Sequence, residues 1–202
     1  MNLMKLTRRL LLPLLLIAAL PVSATEKLSL NEISEYLNSL KSVKGAFTQI
    51  NDDGTIATGT LFIKRPGRIR FEYDPPAAAL VMAGGGQVAI FDEKSNQPPE
   101  QYPLKRTPLN LILKRNVDLG QARMVVGHEF DGTTTSVIAQ DPENPEYGTI
   151  RLVFSGPPVQ LRQWVVTSGD GTETTVILGD ADYKAQLAAS LFSIPSEISR
   201  RQ

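Results

Sequence analysis

The side chains most able to do chemistry are few in this chain of 202 residues. His128 is the single histidine, with Glu129 beside it and Asp131 nearby, and the chain has no cysteine. A Cys-His pair is therefore excluded, as is a zinc site built from nitrogen or sulfur ligands. A Ser-His-Asp triad would need His128, and no G-x-S-x-G turn accompanies it. We interpret His128 as a residue at the end of a hairpin, and we predict no catalytic residue and no metal site.

Two further motifs resemble ligand sites but lack the residues that such sites need. Gly84-Gly85-Gly86 is not followed by the lysine and serine or threonine of a phosphate loop, so it predicts a hairpin turn. Asp52-Asp53-Gly54 lacks the spaced carboxylates and the terminal glutamate of a calcium loop. We therefore predict that the protein is not an enzyme and needs no cofactor.

An arginine on an apolar strand face is the most unusual charged residue of the sequence. In LFIKRPGRIRFEY, residues 61–73, a period of two places Arg65 on the same face as Leu61 and Ile63. A guanidinium cannot lose its charge, so beneath a covering segment it needs carbonyl acceptors. The other interpretation is that Arg65 reaches solvent from the end of its strand. The residues alone leave both interpretations open.

Three other basic residues fall on the opposite face of these strands, namely Lys64, Arg68 and Arg70. We interpret them as solvated surface residues, because charged side chains on an outer face are normally exposed. A docking site for an acidic loop of a partner protein is the alternative.

Hydrophobic periodicity predicts the elements that position these residues. SLNE (29–32) has the spacing of a capping box, and the apolar steps after it predict an amphipathic helix to about Lys41. TPLNLILKR (107–115) predicts a two-turn helix with Thr107 as its cap, after a polar, Pro-rich loop over 94–106. AASLFSIPSE (188–197) predicts a brief helical turn and then an extended end. Period-two patterns between turn residues predict strands near 44–51, 56–65, 68–74, 78–83, 87–92, 122–130, 133–140, 148–155, 159–168 and 172–182.

This order of elements predicts a mainly β (α+β) domain, a single curved antiparallel sheet with three short helices. One sheet face is unusually apolar. The first interpretation of this face is a packed core. The alternative is a cavity, because three short helices provide little material to fill the interior of a curved sheet. The candidate residues on this face are Phe47, Leu61, Ile63, Ile69, Phe71, Tyr73, Val81, Val88, Ile90, Trp164 and Val166, together with Leu109, Ile112 and Leu113 of the 107–115 helix.

The N-terminus has the organisation of a secretory signal peptide. MNLMKLTRR is basic, an apolar stretch broken by proline follows, and Val22-Ser23-Ala24 offers small residues for cleavage. We predict a signal peptide over 1–24 and one domain over 25–202, exported as a soluble monomer. Removal of 1–24 leaves 18 basic and 21 acidic residues, so the mature chain lacks the basic excess typical of proteins that bind nucleic acid.

Several stretches, in order along the mature chain, resemble the periplasmic outer-membrane lipoprotein carrier protein (LolA) family. GAFTQ (45–49) resembles its opening strand, and GTLFIKRPGRIRFEY (59–73) resembles its most characteristic block. GGGQVAIFD (84–92), TPLNLILKRN (107–116) and LFSIPSE (191–197) resemble its next hairpin, its lid helix and its closing segment.

The resemblance implies an unclosed β-barrel with a lid of short α-helices over a hydrophobic cavity. It implies a periplasmic carrier that binds the acyl chains of lipoproteins released by an inner-membrane ABC transporter and passes them to an outer-membrane receptor. It also implies that Arg65 lies inside the barrel and holds the lid by hydrogen bonds. The expected lipid-binding residues are Phe47, Leu61, Ile63, Ile69, Phe71, Tyr73, Val81, Ile90, Leu109, Ile112, Leu113 and Trp164.

Two other functions stay open at this point. A protein with this fold could sense or bind lipidated protein in order to regulate a partner, or it could carry another lipid. The related outer-membrane receptor carries a lipidated N-terminal cysteine, which this chain lacks. An enzyme is disfavoured because no constellation of catalytic residues is found.

Overall fold

Eleven antiparallel strands form one sheet in the computed structural model, which describes residues 26–77, 79–92, 94–95, 97–120 and 123–201. The predicted signal peptide over 1–24 lies outside these residues. The strands are β1 (Ser42–Asn51), β2 (Ile56–Lys64), β3 (Ile69–Tyr73), β4 (Ala79–Gly84), β5 (Gln87–Asp92), β6 (Glu100–Pro103), β7 (Val125–Phe130), β8 (Thr135–Gln140), β9 (Thr149–Ser155), β10 (Gln160–Thr167) and β11 (Glu173–Asp182). The helices are α1 (Leu30–Ser39), α2 (Asn110–Leu113) and α3 (Ile194–Arg200).

The sheet joins two meanders through the first and last strands. Its order is β6-β5-β4-β3-β2-β1-β11-β10-β9-β8-β7, so β6 and β7 form the two edges. Phe47 of β1 pairs with Gly59 on one side and with Leu178 on the other, which fixes the register at the junction. The sheet is antiparallel throughout and unclosed, which confirms the predicted fold class.

Strong curvature of the sheet is evident from an aromatic contact across it. Phe71 lies in β3 and Trp164 in β10, four strand positions apart. Four spacings of about 4.8 Å would separate them by about 19 Å in a flat sheet. Their ring centroids are 6.3 Å apart. The sheet therefore bends so that its two halves face each other across the concave side.

The lid follows from this topology. We define the lid as residues 107–116, which include α2 and belong to the connection between β6 and β7. Because these strands are opposite edges of the sheet, their connection has to cross the open side. Leu111, Ile112 and Leu113 of α2 are buried in the same core cluster as Ile33 and Leu37 of α1.

Three predicted elements differ in the structure. A four-residue edge strand, β6, lies within the predicted loop 94–106, at an edge where Pro103 is tolerated. The predicted extended end is helix α3, which Ser193 caps and which has Pro195 in its first turn. Thr107 does not cap α2; its hydroxyl donates to the Leu104 carbonyl, and Leu109 holds the cap position.

Helix α3 packs on the convex side of the sheet and changes the interpretation of Arg70. It covers Leu80, Met82, Ala89 and Phe91 of β4 and β5, a second apolar cluster. Arg70 was predicted to be a solvated surface residue, and that prediction is wrong. Its side chain is buried under α3 and forms ion pairs with Glu72 at 2.6 Å and Glu197 at 2.9 Å.

Candidate functional site

A cavity of about 590 Å³ lies on the concave face, between the sheet and the first residues of the lid. Strands from both halves of the sheet supply its walls, which include aromatic and aliphatic side chains. The lining residues are Gln49, Phe71, Tyr73, Val81, Val88, Tyr102, Arg106, Thr107, Pro108, Leu109, Glu146, Tyr147, Trp164, Val166, Ser168, Gly169, Thr174 and Val176.

The structure places eleven of the twelve residues expected to bind lipid in two sets. The residues that line the cavity are Phe71, Tyr73, Val81, Leu109 and Trp164. Six others are buried in the core between the sheet and the lid, namely Phe47, Leu61, Ile63, Ile69, Ile112 and Leu113. Ile90 pairs with Val81 and shares its face, but it is half-buried and lies outside the lining. An acyl chain that contacts the second set would therefore have to displace the lid.

An aromatic cluster joins the residues that line the cavity to those buried beneath the lid. The Phe47 ring packs edge-on against Phe71 and Tyr73, with ring centroids 5.2 Å apart in both pairs. Gly59 permits this arrangement, because a Cβ atom there would lie 2.7 Å from the Phe47 ring and 2.1 Å from the Glu72 carbonyl oxygen. The glycine of the GTLFIK stretch thus makes room for an aromatic wall.

Two polar side chains of the cavity lining, Tyr73 and Gln49, are hydrogen-bonded to each other. The Tyr73 hydroxyl donates to Gln49 Oε1 at 2.7 Å. Burial raises the pKa of Tyr73 to about 12, against the opposing effect of the Gln49 hydrogen bond, so the phenol is neutral at physiological pH. The wall that it forms presents an aromatic ring and a satisfied hydroxyl.

The rim of the cavity is polar and comes from two loops that periodicity does not single out. Glu146 and Tyr147 belong to a short turn before β9, and Arg106 precedes the lid. Gly148 has a φ of 96°, and a Cβ atom there would lie 2.0 Å from the Thr167 carbonyl oxygen. This glycine allows the turn to press against the β10–β11 hairpin, and the contact places Tyr147 at the rim.

Arg65 lies at the other end of the lid. Its Nη2 donates to the Lys114 carbonyl oxygen at 2.5 Å and to Asn38 Oδ1 at 3.4 Å. The Gly67 amide donates to the Leu113 carbonyl oxygen at 2.9 Å in the same region. Burial lowers the pKa of the Arg65 guanidinium, and its Nε is buried without a hydrogen-bond partner. The arginine thus contacts the C-terminal end of α2 through the Lys114 carbonyl oxygen, and α1 through the Asn38 side-chain oxygen.

His128 positions the start of the domain. Its Nε2 lies 2.9 Å from the Leu28 carbonyl oxygen, and the Leu28 amide donates to Thr135 Oγ1 at 2.9 Å. Within the described residues, no group of three or more His, Asp or Glu side chains could hold a metal ion. In the same part of the chain, no helix has the length and apolar character needed to span a membrane.

Comparison with known proteins places this geometry in a family context. Residues 38–195 match a family described as outer membrane lipoprotein carrier protein LolA. An outer-membrane lipoprotein carrier protein of Pseudomonas aeruginosa is 24% identical over 198 residues, 94% of each chain. That of Coxiella burnetii is 24% identical over 170 residues, 80% of each chain. A crystal structure of a LolA superfamily protein from Nitrosomonas europaea matches with 12% identity and a TM-score of 0.44, covering 82% of this chain and 98% of that one.

Proposed function

The chain belongs to the outer membrane lipoprotein carrier protein LolA family, and from this premise we propose that it is a periplasmic lipoprotein carrier. In this proposal its cavity holds the acyl chains of lipoproteins released from the inner membrane, and the protein delivers them to the outer membrane. The signal peptide predicted over 1–24 would direct export to the periplasm.

The apolar cavity beneath a short lid is the observation that supports the proposal most directly. Burial of a methylene group contributes about 0.8 kcal/mol, so even a few methylenes match one hydrogen bond to a charged group, which contributes about 1.5–3 kcal/mol. The Arg65 hydrogen bonds can therefore keep an empty lid closed and still yield to an entering chain. In the proposal, Arg65 is a latch that acyl chains release.

A carrier also has to exchange cargo with membrane proteins at each end of its route. We propose an inner-membrane lipoprotein-releasing ABC transporter as the donor and an outer-membrane lipoprotein receptor as the acceptor. Binding and release, without covalent chemistry, are the steps that such a role requires.

Two adjacent valines of β10 provide the test. Val166 lines the cavity, whereas Val165 lies on the convex face, and both are half-buried. Val166→Glu should weaken displacement of a bound bis-anilinonaphthalene dye by a diacylglyceryl peptide at least tenfold, because a carboxylate among acyl chains must be neutralised or hydrated. Val165→Glu should leave displacement unchanged. If both variants fold and bind the lipopeptide like the wild type, this cavity is not the acyl site.

A further inference from the structure

A cluster of basic side chains surrounds the end of the lid that Arg65 contacts. We define the basic patch as Lys41, Arg65, Arg68, Lys114 and Arg115. Backbone contacts bring these residues together: the Arg65 amide donates to the Lys41 carbonyl oxygen at 3.0 Å, and the Gly67 amide donates to the Leu113 carbonyl oxygen at 2.9 Å. The patch thus spans three separate segments, the connection between α1 and β1, the β2–β3 turn and the end of the lid.

The patch is concentrated in a chain whose predicted mature form has a small acidic excess. Lys41, Lys114 and Arg115 are exposed, and Arg65 and Arg68 are half-buried. Among the ion pairs of the described residues, none includes a member of the patch. Arg70, five residues after Arg65, is by contrast paired with two carboxylates. Unpaired cations from three segments repel one another, so a partner that neutralises them is electrostatically favoured.

We propose that an acidic segment of a partner protein docks on the basic patch and opens the lid by competing for Arg65. This inference rests on the proposed carrier function, because it assigns a role to docking in cargo exchange. Both hydrogen bonds of the guanidinium come from Nη2, and the Nε is unpaired. A carboxylate binds a guanidinium through two parallel hydrogen bonds, which are stronger than bonds to a neutral carbonyl. It would therefore replace the Lys114 carbonyl as the better acceptor.

The same features favour a protein segment over an anionic membrane surface. Stable binding to a lipid surface combines charge with exposed apolar side chains that enter the bilayer. The large exposed apolar residues in the described part of the chain are Ile56, Val126 and Ile177, and none belongs to the patch. Ile56 begins β2, at the end of that strand remote from Arg65. The patch therefore offers charge and hydrogen-bond donors without an apolar anchor.

The test measures peptide binding and lid opening in the mature full-length domain. The probe is an octapeptide of alternating glutamate and serine, with a glutamine-serine peptide as its control. We expect the acidic peptide to bind more weakly as salt is raised, and to accelerate hydrogen exchange of the Gly67 amide, which bonds the lid. The matched variants remove three charges each: Lys41→Gln/Arg68→Gln/Arg115→Gln within the patch, and Lys94→Gln/Lys105→Gln/Arg123→Gln outside it.

The patch variant should bind the acidic peptide about tenfold more weakly than the wild type, because it loses three exposed ion pairs that each contribute modestly. The control variant should bind the peptide with an affinity within twofold of the wild type. Equal losses in both variants, no acceleration of Gly67 exchange, or binding to phosphatidylglycerol vesicles in place of the peptide would overturn the inference. Lipopeptide binding without the acidic peptide is measured in parallel. If the wild type binds lipopeptide while the acidic peptide leaves the lid unmoved, the docking inference fails alone; if lipopeptide does not bind, the carrier function fails.

Discussion

Two arginines close to each other in sequence hold opposite faces of the β2–β3 hairpin by different means. Arg70 faces the convex side and is neutralised by the carboxylates of Glu72 and Glu197. Arg65 faces the lid and has only a backbone carbonyl and an amide oxygen as acceptors. A charge with full counter-charges is expensive to separate from them, whereas a charge held by neutral acceptors is released more easily. The hairpin thus has a permanent attachment to α3 through Arg70 and a reversible attachment to the lid through Arg65.

The reversible attachment is tested by Arg65→Leu, which removes the charge but keeps an apolar side chain of moderate bulk. We expect the empty lid to open more often, because the bonds to Lys114 and Asn38 are lost. Bound acyl chains should leave more slowly, because no cation competes for the lid. Uptake and release of one lipoprotein, followed separately, measure the two effects. Arg65→Lys should be intermediate, since lysine keeps the charge without the planar fork. Equal losses in both steps would identify Arg65 as a structural residue only.

The permanent attachment predicts a pH dependence of stability. Burial alone would raise the pKa of Glu197, but hydrogen bonds from Arg201 and Arg70 outweigh it and keep that pKa below its ordinary value of 4.5. The stabilisation is therefore complete above about pH 4.5 and is lost as the pH falls through the lower folded-state pKa. Glu197→Gln should lower the free energy of unfolding by about 3 kcal/mol at pH 7, because the buried Arg70 loses one of its two carboxylate partners and keeps only Glu72. Urea denaturation at pH 7 and pH 3 should show this difference shrinking in acid; parallel pH profiles for the two proteins would contradict the assignment.

At the scale of elements, sequence periodicity predicted the sheet well and the segments around it less well. The strands of both meanders follow a period of two with turn residues between them, so their positions could be predicted. The edge strand β6 has a Pro-rich, polar composition, and its pairing with β5 is a tertiary contact that no local pattern encodes. The burial of Arg70 had the same cause, because its partner Glu197 is 127 residues away along the chain.

Some residues of the cavity could be predicted from local sequence patterns, whereas others depend on tertiary contacts. Residues on strand faces, such as Phe71 and Trp164, were predictable because alternation assigns them to the concave side. Tyr147 and Arg106 lie in loops, where alternation gives no direction. The sequence also could not separate the residues that line the cavity from those packed beneath the lid, because both sets share one face. That distinction depends on where the lid rests.

Helix α3 and the lid lie on opposite faces of the sheet, and this permits a matched comparison. Ile194 of α3 is 5% exposed and Leu113 of the lid is 1% exposed. Truncation of either side chain to alanine should destabilise the protein by about 2–5 kcal/mol. Only Leu113→Ala should change the rate of acyl binding, because only the lid has to move. Thermal unfolding and stopped-flow dye binding, measured on both variants, provide the test; equal changes in binding rate would show that the two faces are coupled.

At the scale of the whole molecule, the lid is a connection tethered at both ends to opposite edges of the sheet. It can lift but cannot swing away. The cavity of about 590 Å³ lies beneath its first residues, and the buried leucines and isoleucines of α2 lie further along it. An entering chain therefore fills existing space first and afterwards has to replace packed side chains.

This arrangement predicts how affinity depends on acyl chain length. Each methylene that enters the existing cavity should lower the dissociation constant about fourfold, which corresponds to about 0.8 kcal/mol. Once the cavity is full, each further methylene gains the same burial but displaces core contacts of Ile112 and Leu113, so the slope should flatten. A series of monoacyl peptides from eight to eighteen carbons, measured by calorimetry at constant salt, would locate this break. In the Leu113→Ala variant the break should shift to longer chains, because less packing is lost when the lid lifts. A slope that stays constant over the whole series and is unaffected by this substitution would show that the lid does not limit the cavity.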